Sequence, residues 1–238
     1  MKLMVATAAL LGAAGVSFGG TIVTDFSGFA NGASVEGTVF NSGTQAQFTA
    51  TSTGNNQGLR IFDTTPGGPN DGGPDTDLIV AGFGNALILQ DNTGAPPNDA
   101  NEGGSIIFTF AQATQLVSIG LIDFDGASAS TVILTDENMN TRTFSVPNDF
   151  TGEPGVDGAP GFGMLAFDLN NQVGFDGNIA SFVDSGLFDL MNVVTMEFQM
   201  GGSGAIDNLT AFVIPLPTAG AMGLAGLALV GGMRRRAA

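Results

Sequence analysis

The chain contains no cysteine, no histidine, no tryptophan and no tyrosine. Without cysteine there is no disulfide, no thiolate nucleophile and no zinc-thiolate site. Without histidine the usual general base near neutral pH is missing, and Ser-His-Asp and Cys-His arrangements are excluded. Catalysis would have to rest on carboxylates, so the sequence is read as that of a protein that is not an enzyme. Stacking a sugar ring on a side chain is left to phenylalanine alone. Positive charge is also scarce: 6 Lys and Arg stand against 22 Asp and Glu, a formal charge of −16 over 238 residues. Every acid lies between Asp25 and Asp207, a stretch whose only cations are Arg60 and Arg142. Such a body repels polyphosphate, so no nucleic-acid partner is expected. Divalent cations are attracted to it, and the same charge also keeps a surface protein soluble.

Glycine (37 residues) and proline (10) punctuate the chain and separate short apolar runs. In GSIIFTFA (104–111), Ile106, Phe108 and Phe110 share one face. In VVTMEFQM (193–200), Val194, Met196, Phe198 and Met200 alternate with Glu197 and Gln199. Period-two alternation marks a half-buried strand. Similar runs at 21–26, 45–51, 58–62, 85–90, 116–124, 130–135, 141–146, 164–169, 178–183 and 205–213 bring the total to about twelve strands. The predicted fold is all-β: a two-sheet antiparallel sandwich, jelly-roll-like. A parallel β-solenoid is the alternative, but no fixed repeat period is present.

Several acidic stretches are candidates for chemistry. The loop DTTPGGPNDGGPDTD (63–77) carries Asp63, Asp71, Asp75 and Asp77 and no apolar side chain. Its glycines and prolines permit tight turns that bring carboxylates and carbonyls together on a calcium ion. The spacing is not that of an EF-hand, and GGPDTDLIV (72–80) matches the nonapeptide calcium repeat only in part and in a single copy. A solvated acidic loop is the other reading. Asp99 lies in a second acidic loop, APPNDANEGG (95–104). Asp123 and Asp125, in IDFDG (122–126), are expected on one face at a strand end. There they can act as an acid/base pair on a glycoside, ligate calcium, or simply face water. Asp207, in GGSGAIDNLTAF (201–212), falls in the last strand of the body. Thr49, Thr51 and Thr53 share a strand face similar to an ice-binding ladder, but that requires several stacked copies where the sequence shows one, so a solvated strand face is the preferred reading and ice binding a remote option.

The two ends differ from the body. Residues 1–20, MKLMVATAALLGAAGVSFGG, have an early lysine, an apolar run and small residues, the layout of a secretory signal peptide. Residues 21–212 are then a β-sandwich domain, and 213–238 a separate segment. Ile214 to Met233 is twenty uncharged residues, enough for a transmembrane helix. The arginines beyond it, Arg234, Arg235 and Arg236, are expected to stay on the cytoplasmic side. Pro215 and Pro217 break the last strand before it.

A Pro-x-Pro step, a Gly/Ala/Leu-rich apolar segment and a terminal arginine cluster, in that order, resemble the PEP-CTERM sorting signal. The match is closest to its VPLPA variant, met here by Ile214-Pro215-Leu216-Pro217-Thr218-Ala219, with Leu216 where the family usually has glutamate. The body, through TDFSGFANGASVEGTVF, GNALILQDN, NDANEGGSIIFTF, VSIGLIDFD and AIDNLTAF, resembles β-sandwich domains that accompany this signal. The resemblance implies export, transient membrane anchoring and recognition by an exosortase after the secretion machinery. The product would be a cell-surface or extracellular-matrix protein beside exopolysaccharide. In related carbohydrate-binding jelly rolls an acid of the last strand ligates calcium; Asp207 holds that position here. The expected role is structural or adhesive with calcium as a possible stabiliser. The alternative is a carbohydrate-binding module or a carboxylate-based glycosidase or lyase on exopolysaccharide.

Overall fold

The computed structural model describes residues 20–54, 56–91, 97–124, 130–146, 161–167 and 182–213. Residues 1–19 of the expected signal peptide, the expected transmembrane helix and the sorting residues Pro215, Leu216, Pro217 and Arg234 to Arg236 lie outside them, as does Asp125. Thr21–Val213 form one compact unit.

The described residues form twelve strands and no α-helix: β1 (Gly20–Thr24), β2 (Val39–Phe40), β3 (Phe48–Thr53), β4 (Leu59–Asp63), β5 (Asn85–Leu89), β6 (Gly104–Ile122), β7 (Thr131–Asp136), β8 (Thr141–Ser145), β9 (Phe162–Ala166), β10 (Phe182–Asp184), β11 (Val193–Met200) and β12 (Ala205–Val213). The strands run β10-β8-β7-β11-β6-β12-β5-β4 across a continuous sheet, with β1 on β12, β3 and β9 on β6, and β2 on β3. The registered ladders are antiparallel.

The runs expected as two strands, 104–111 and 116–124, are one strand, β6. Nothing between them breaks a chain: AQATQ has neither glycine nor proline. Its early half pairs with β3 and β11, its late half with β12 and β9. Where partners change, residues 111–113 are exposed. There the buried Thr114 hydroxyl reaches the carbonyls of Gln45 (3.0 Å) and Gln112 (2.8 Å). In β11 the expected inward Val194 is replaced by Val193, because a register shift between Val193 and Thr195 displaces the alternation by one.

One apolar cluster draws on strands from both halves of β6's pairing, including Phe48, Phe108 and Phe198 from one and Leu59, Leu87 and Leu121 from the other. A line of rings, Phe26, Phe40, Phe48, Phe108, Phe198 and Phe124, runs through it with centroids 4.7–6.3 Å apart. Each such pair contributes about 0.5–1.5 kcal/mol beyond area burial. A second cluster, with Phe62, Ala86, Ile88 and Ile122, is covered by Leu78 and Val80 from the segment after the acidic loop. Around that segment Thr64 N–H donates to the Gly84 carbonyl at 2.7 Å, and Val80 N–H to that of Thr64 at 2.9 Å. The acidic loop is therefore not simply solvated. Asn70, 5 % exposed, exchanges amide hydrogen bonds with Asn31 (2.9 and 3.0 Å) and donates to the Asp63 carbonyl.

Candidate functional site

The four acids of the 63–77 loop do not point to one place. Asp63 accepts from Thr65 N–H (2.9 Å), the exposed Asp71 from Gly67 N–H (2.6 Å), and Asp77 from Leu78 N–H (3.0 Å). Each folds onto its own turn, as short acidic side chains do beside glycine and proline. Asp75 differs. It precedes the 3-10 turn Thr76–Leu78, yet its carboxylate does not cap that turn. It accepts instead from Asp99 N–H at 3.0 Å.

Asp99 is 3 % exposed, and its Oδ2 accepts from Gly204 N–H at 2.7 Å. Three segments are thus joined end to end: the acidic loop, the strand-like bridge of Gln90 with Asp99, and the turn before β12. Burial pushes the Asp99 carboxyl up to about 9; the charges of Asp75, Asp77 and Asp123 add to this, and the Gly204 N–H opposes it. Burial likewise pushes Asp75 up to about 6; the Asp99 N–H opposes this, and the charges of Asp77 and Asp91 reinforce it. The pair therefore holds a proton at neutral pH. Gly204 has φ +144, and a Cβ there would meet Phe124 Cδ2 at 3.0 Å and the Asp123 carbonyl at 3.1 Å. Glycine is what lets this turn close on Asp99.

Asp123 follows the last residue of β6 and is 1 % exposed, with φ 50. Its N–H donates to the Gly161 carbonyl at 2.7 Å, and Ser203 Oγ lies 3.4 Å from its Oδ2. The expectation of a strand-end charge facing water is overturned. The left-handed residue turns the side chain inward beneath the Ser203–Gly204 turn.

Asp207 lies in β12 opposite Gly120, at the start of a register shift, and is completely buried. Neither of its carboxylate oxygens has a hydrogen-bond partner among the described residues. Burial pushes it up to about 8; the backbone of Asn208 pulls the other way, and the charge of Asp25 raises it further. Asp25 lines a nearby pocket of about 230 Å³ with Val23, Phe29, Val39 and Asn41, among others, and is the one ionisable side chain there. Among the described residues, no three acidic side chains come together as a metal-ligating set.

Sequence reasoning passed over the acids with the best-formed hydrogen bonds. Asp136 is completely buried and accepts four: from Asn138 N–H (2.9 Å), Asn140 N–H (2.8 Å), Asn140 Nδ2 (3.1 Å) and Asp189 N–H (3.0 Å). Burial raises its pKa, but the bonds from Asn140, Asp189 and Asn138 outweigh that and hold it below the usual carboxylate range. Glu36 clamps β3 to β4, accepting from Ser52 N–H (2.8 Å), Ser52 Oγ (2.9 Å) and Leu59 N–H (3.0 Å). Arg142, 4 % exposed, makes a two-pronged pair with Asp184 at 2.6 and 2.7 Å. Its guanidinium also lies 4.7 Å from the Phe182 ring and 4.9 Å from that of Phe188. An acid two residues from a polar turn is the one sequence signal that could have found Asp136 (TDENMN).

No protein-family model matches the chain, and no curated protein is similar to it.

Proposed function

We propose that this is an exported, surface-sorted structural or adhesive protein, whose body is a two-layer jelly-roll-like sandwich hinged on β6. The observation that supports it most is how the acids of the body are used. Asp136, Asp184, Glu36 and the Asp75–Asp99 pair tie loops and edge strands to the sheet. Acids held in this way, by backbone N–H groups or, at Asp184, by the Arg142 guanidinium, stiffen a module and leave little for substrate. The sequence of the tail supplies the address: secretion machinery first, then a transient membrane anchor, then an exosortase acting near Pro215-Leu216-Pro217. The final location is the cell surface or the extracellular matrix, beside exopolysaccharide. Mass spectrometry of surface material tests the sorting. A mature C-terminus near Pro217 supports it, and an intact tail on all surface copies refutes processing.

A stabilising calcium ion belongs to this reading. With no histidine or cysteine the chain offers only oxygen donors, which suit calcium over zinc. The Asp75 and Asp99 oxygens described above already accept N–H groups, whereas the two buried Asp207 oxygens feel only the adjacent Asn208 backbone and have no well-formed hydrogen bond from a described residue. Asp207 would hold the ion together with the exposed Asp25, whose Oδ1 accepts from Ser27 N–H (3.1 Å) and Oγ (2.8 Å), and the ion would supply the positive charge that the buried carboxylate lacks. Unfolding with and without chelator checks this. Calcium should raise the midpoint of the wild type and leave Asp207→Asn unmoved; an unmoved wild type removes calcium from the account.

A further inference from the structure

The register of the sheet completes a pattern that the sequence shows only in part. Thr49 pairs with Thr109, Thr109 with Thr195, Thr195 with Thr135 and Thr135 with Thr141. One unbroken row of threonines therefore crosses β3, β6, β11, β7 and β8. Their neighbours along the strands, such as Phe48, Phe108, Met196, Leu134 and Arg142, are buried, so the row lies on the outer face. Thr109 is exposed and the other four are half-buried. The next row holds Thr51, Ile107, Glu197, Ile133 and Thr143. The one after holds Thr53, Ser105, Gln199, Thr131 and Ser145.

Across these three rows Glu197 is the sole charge, in a chain of formal charge −16. Its Oε1 accepts from Ser105 Oγ (2.9 Å) and Gln199 Nε2 (3.1 Å). The hydroxyls of Thr49, Thr109, Thr195 and Thr135 make no hydrogen bond to another described residue. They stand about 4.8 Å apart across strands, and the rows repeat about every 6.8 Å along them. The face thus carries one continuous row of threonines, four of whose hydroxyls bond to no other described residue; the next row has Ile107, Glu197 and Ile133 at its centre, and in the third Ser105 and Thr131 bond to Glu197 and Gln199.

We propose that this threonine face binds the surface of ice. A single hydroxyl exchanges one water for another with little net gain. Binding therefore requires many such groups acting together on a partner that repeats at the spacing of the row and is uncharged. A water lattice meets both conditions. A sugar polymer is disfavoured, since no aromatic ring stands in these rows to stack on it. The inference goes beyond the surface-module reading and does not depend on calcium or on the sorting tail.

The test uses the full-length chain in an ice-recrystallisation assay and in uptake into a slowly growing ice front. Wild type should arrest crystal coarsening and enter the ice. Thr109→Val with Thr195→Val, which keeps the methyls and strand-forming shape, should lose at least about tenfold in potency. Thr195→Lys should abolish activity, whereas Thr65→Lys, on an exposed loop, should leave it unchanged; thermal unfolding confirms that each variant is folded. Exclusion of folded wild type from ice overturns the proposal. So does equal potency of the valine variant, retention on insoluble neutral polysaccharide in place of ice, or a dimer in sedimentation that the lysine variant splits.

Discussion

Replacing Asp136 by alanine removes one carboxylate and strands four donors at once. These donors belong to the β7–β8 turn and to Asp189, which in turn accepts from Met191 N–H (2.9 Å) and Asn192 Nδ2 (2.7 Å). Hydrogen bonds to a charged group contribute about 1.5–3 kcal/mol each, but they are not additive. The site lies near the periphery of the chain although the side chain is sealed, so water can reach some of the freed N–H groups. A loss of about 3–5 kcal/mol results, which for a domain of this size lowers the melting temperature by about 10–15 °C. Asp136→Asn keeps the shape but turns an N–H₂ toward donors, and should lose about 2–3 kcal/mol. The pH dependence carries its own sign. The folded pKa lies below the unfolded value, so the contribution is complete above about pH 4 and fades as pH falls through the folded pKa. Urea unfolding followed by circular dichroism at about pH 7 and pH 3 measures both quantities. A loss under about 0.5 kcal/mol at neutral pH, or a wild-type-to-asparagine gap that does not shrink in acid, refutes the reasoning.

The buried acids with raised pKa values act in the opposite sense. The unfolded chain gives up their protons near pH 4 and the folded chain only at about 6 (Asp75), 8 (Asp207) and 9 (Asp99), so the calcium-free protein loses stability as pH rises from about 4 to 9. Asp99→Asn should flatten the alkaline side of that profile in thermal melts; an unchanged slope contradicts the assignment. Arg142→Met should destabilise by about 2–4 kcal/mol, because Asp184 loses its paired guanidinium and the Phe182 and Phe188 rings lose a cation. Arg142→Lys should restore less than half of that, and full rescue in denaturant unfolding would show that fork geometry is irrelevant. Gly204→Ala should lose about 2–4 kcal/mol through its positive φ and the contacts a Cβ would make with Phe124 and Asp123. A variant that unfolds with the wild-type midpoint would rule out the tight turn onto Asp99.

Strands were legible where alternation was clean. The burial of Ile106, Phe108, Phe110, Met196 and Phe198 follows directly from period two. What misled was local irregularity. The join of two runs into β6 depends on partners far away in sequence, and the displacement of Val194 by Val193 depends on a bulge that leaves no composition signal. At the candidate site, sequence could find the acids but not sort them. Asp71 and Asp99 look alike in a glycine- and proline-rich context, yet one is exposed and the other buried against Gly204. Burial of Asp123 rests on a positive φ in a non-glycine residue, which no pattern announces. The threonine row was visible only as Thr49, Thr51 and Thr53 along one strand, because its second dimension is written in strand order and register.

The central claim is that the last 25 residues (214–238) deliver this acidic β-module to the cell surface. The most direct measurement compares the full chain with a version ending at Val213, both followed by cell fractionation and intact-mass analysis in the native host. The account predicts that the full chain appears at the surface with a trimmed C-terminus, while the shortened chain folds but is missing from that fraction. Equal amounts of both at the surface would contradict it.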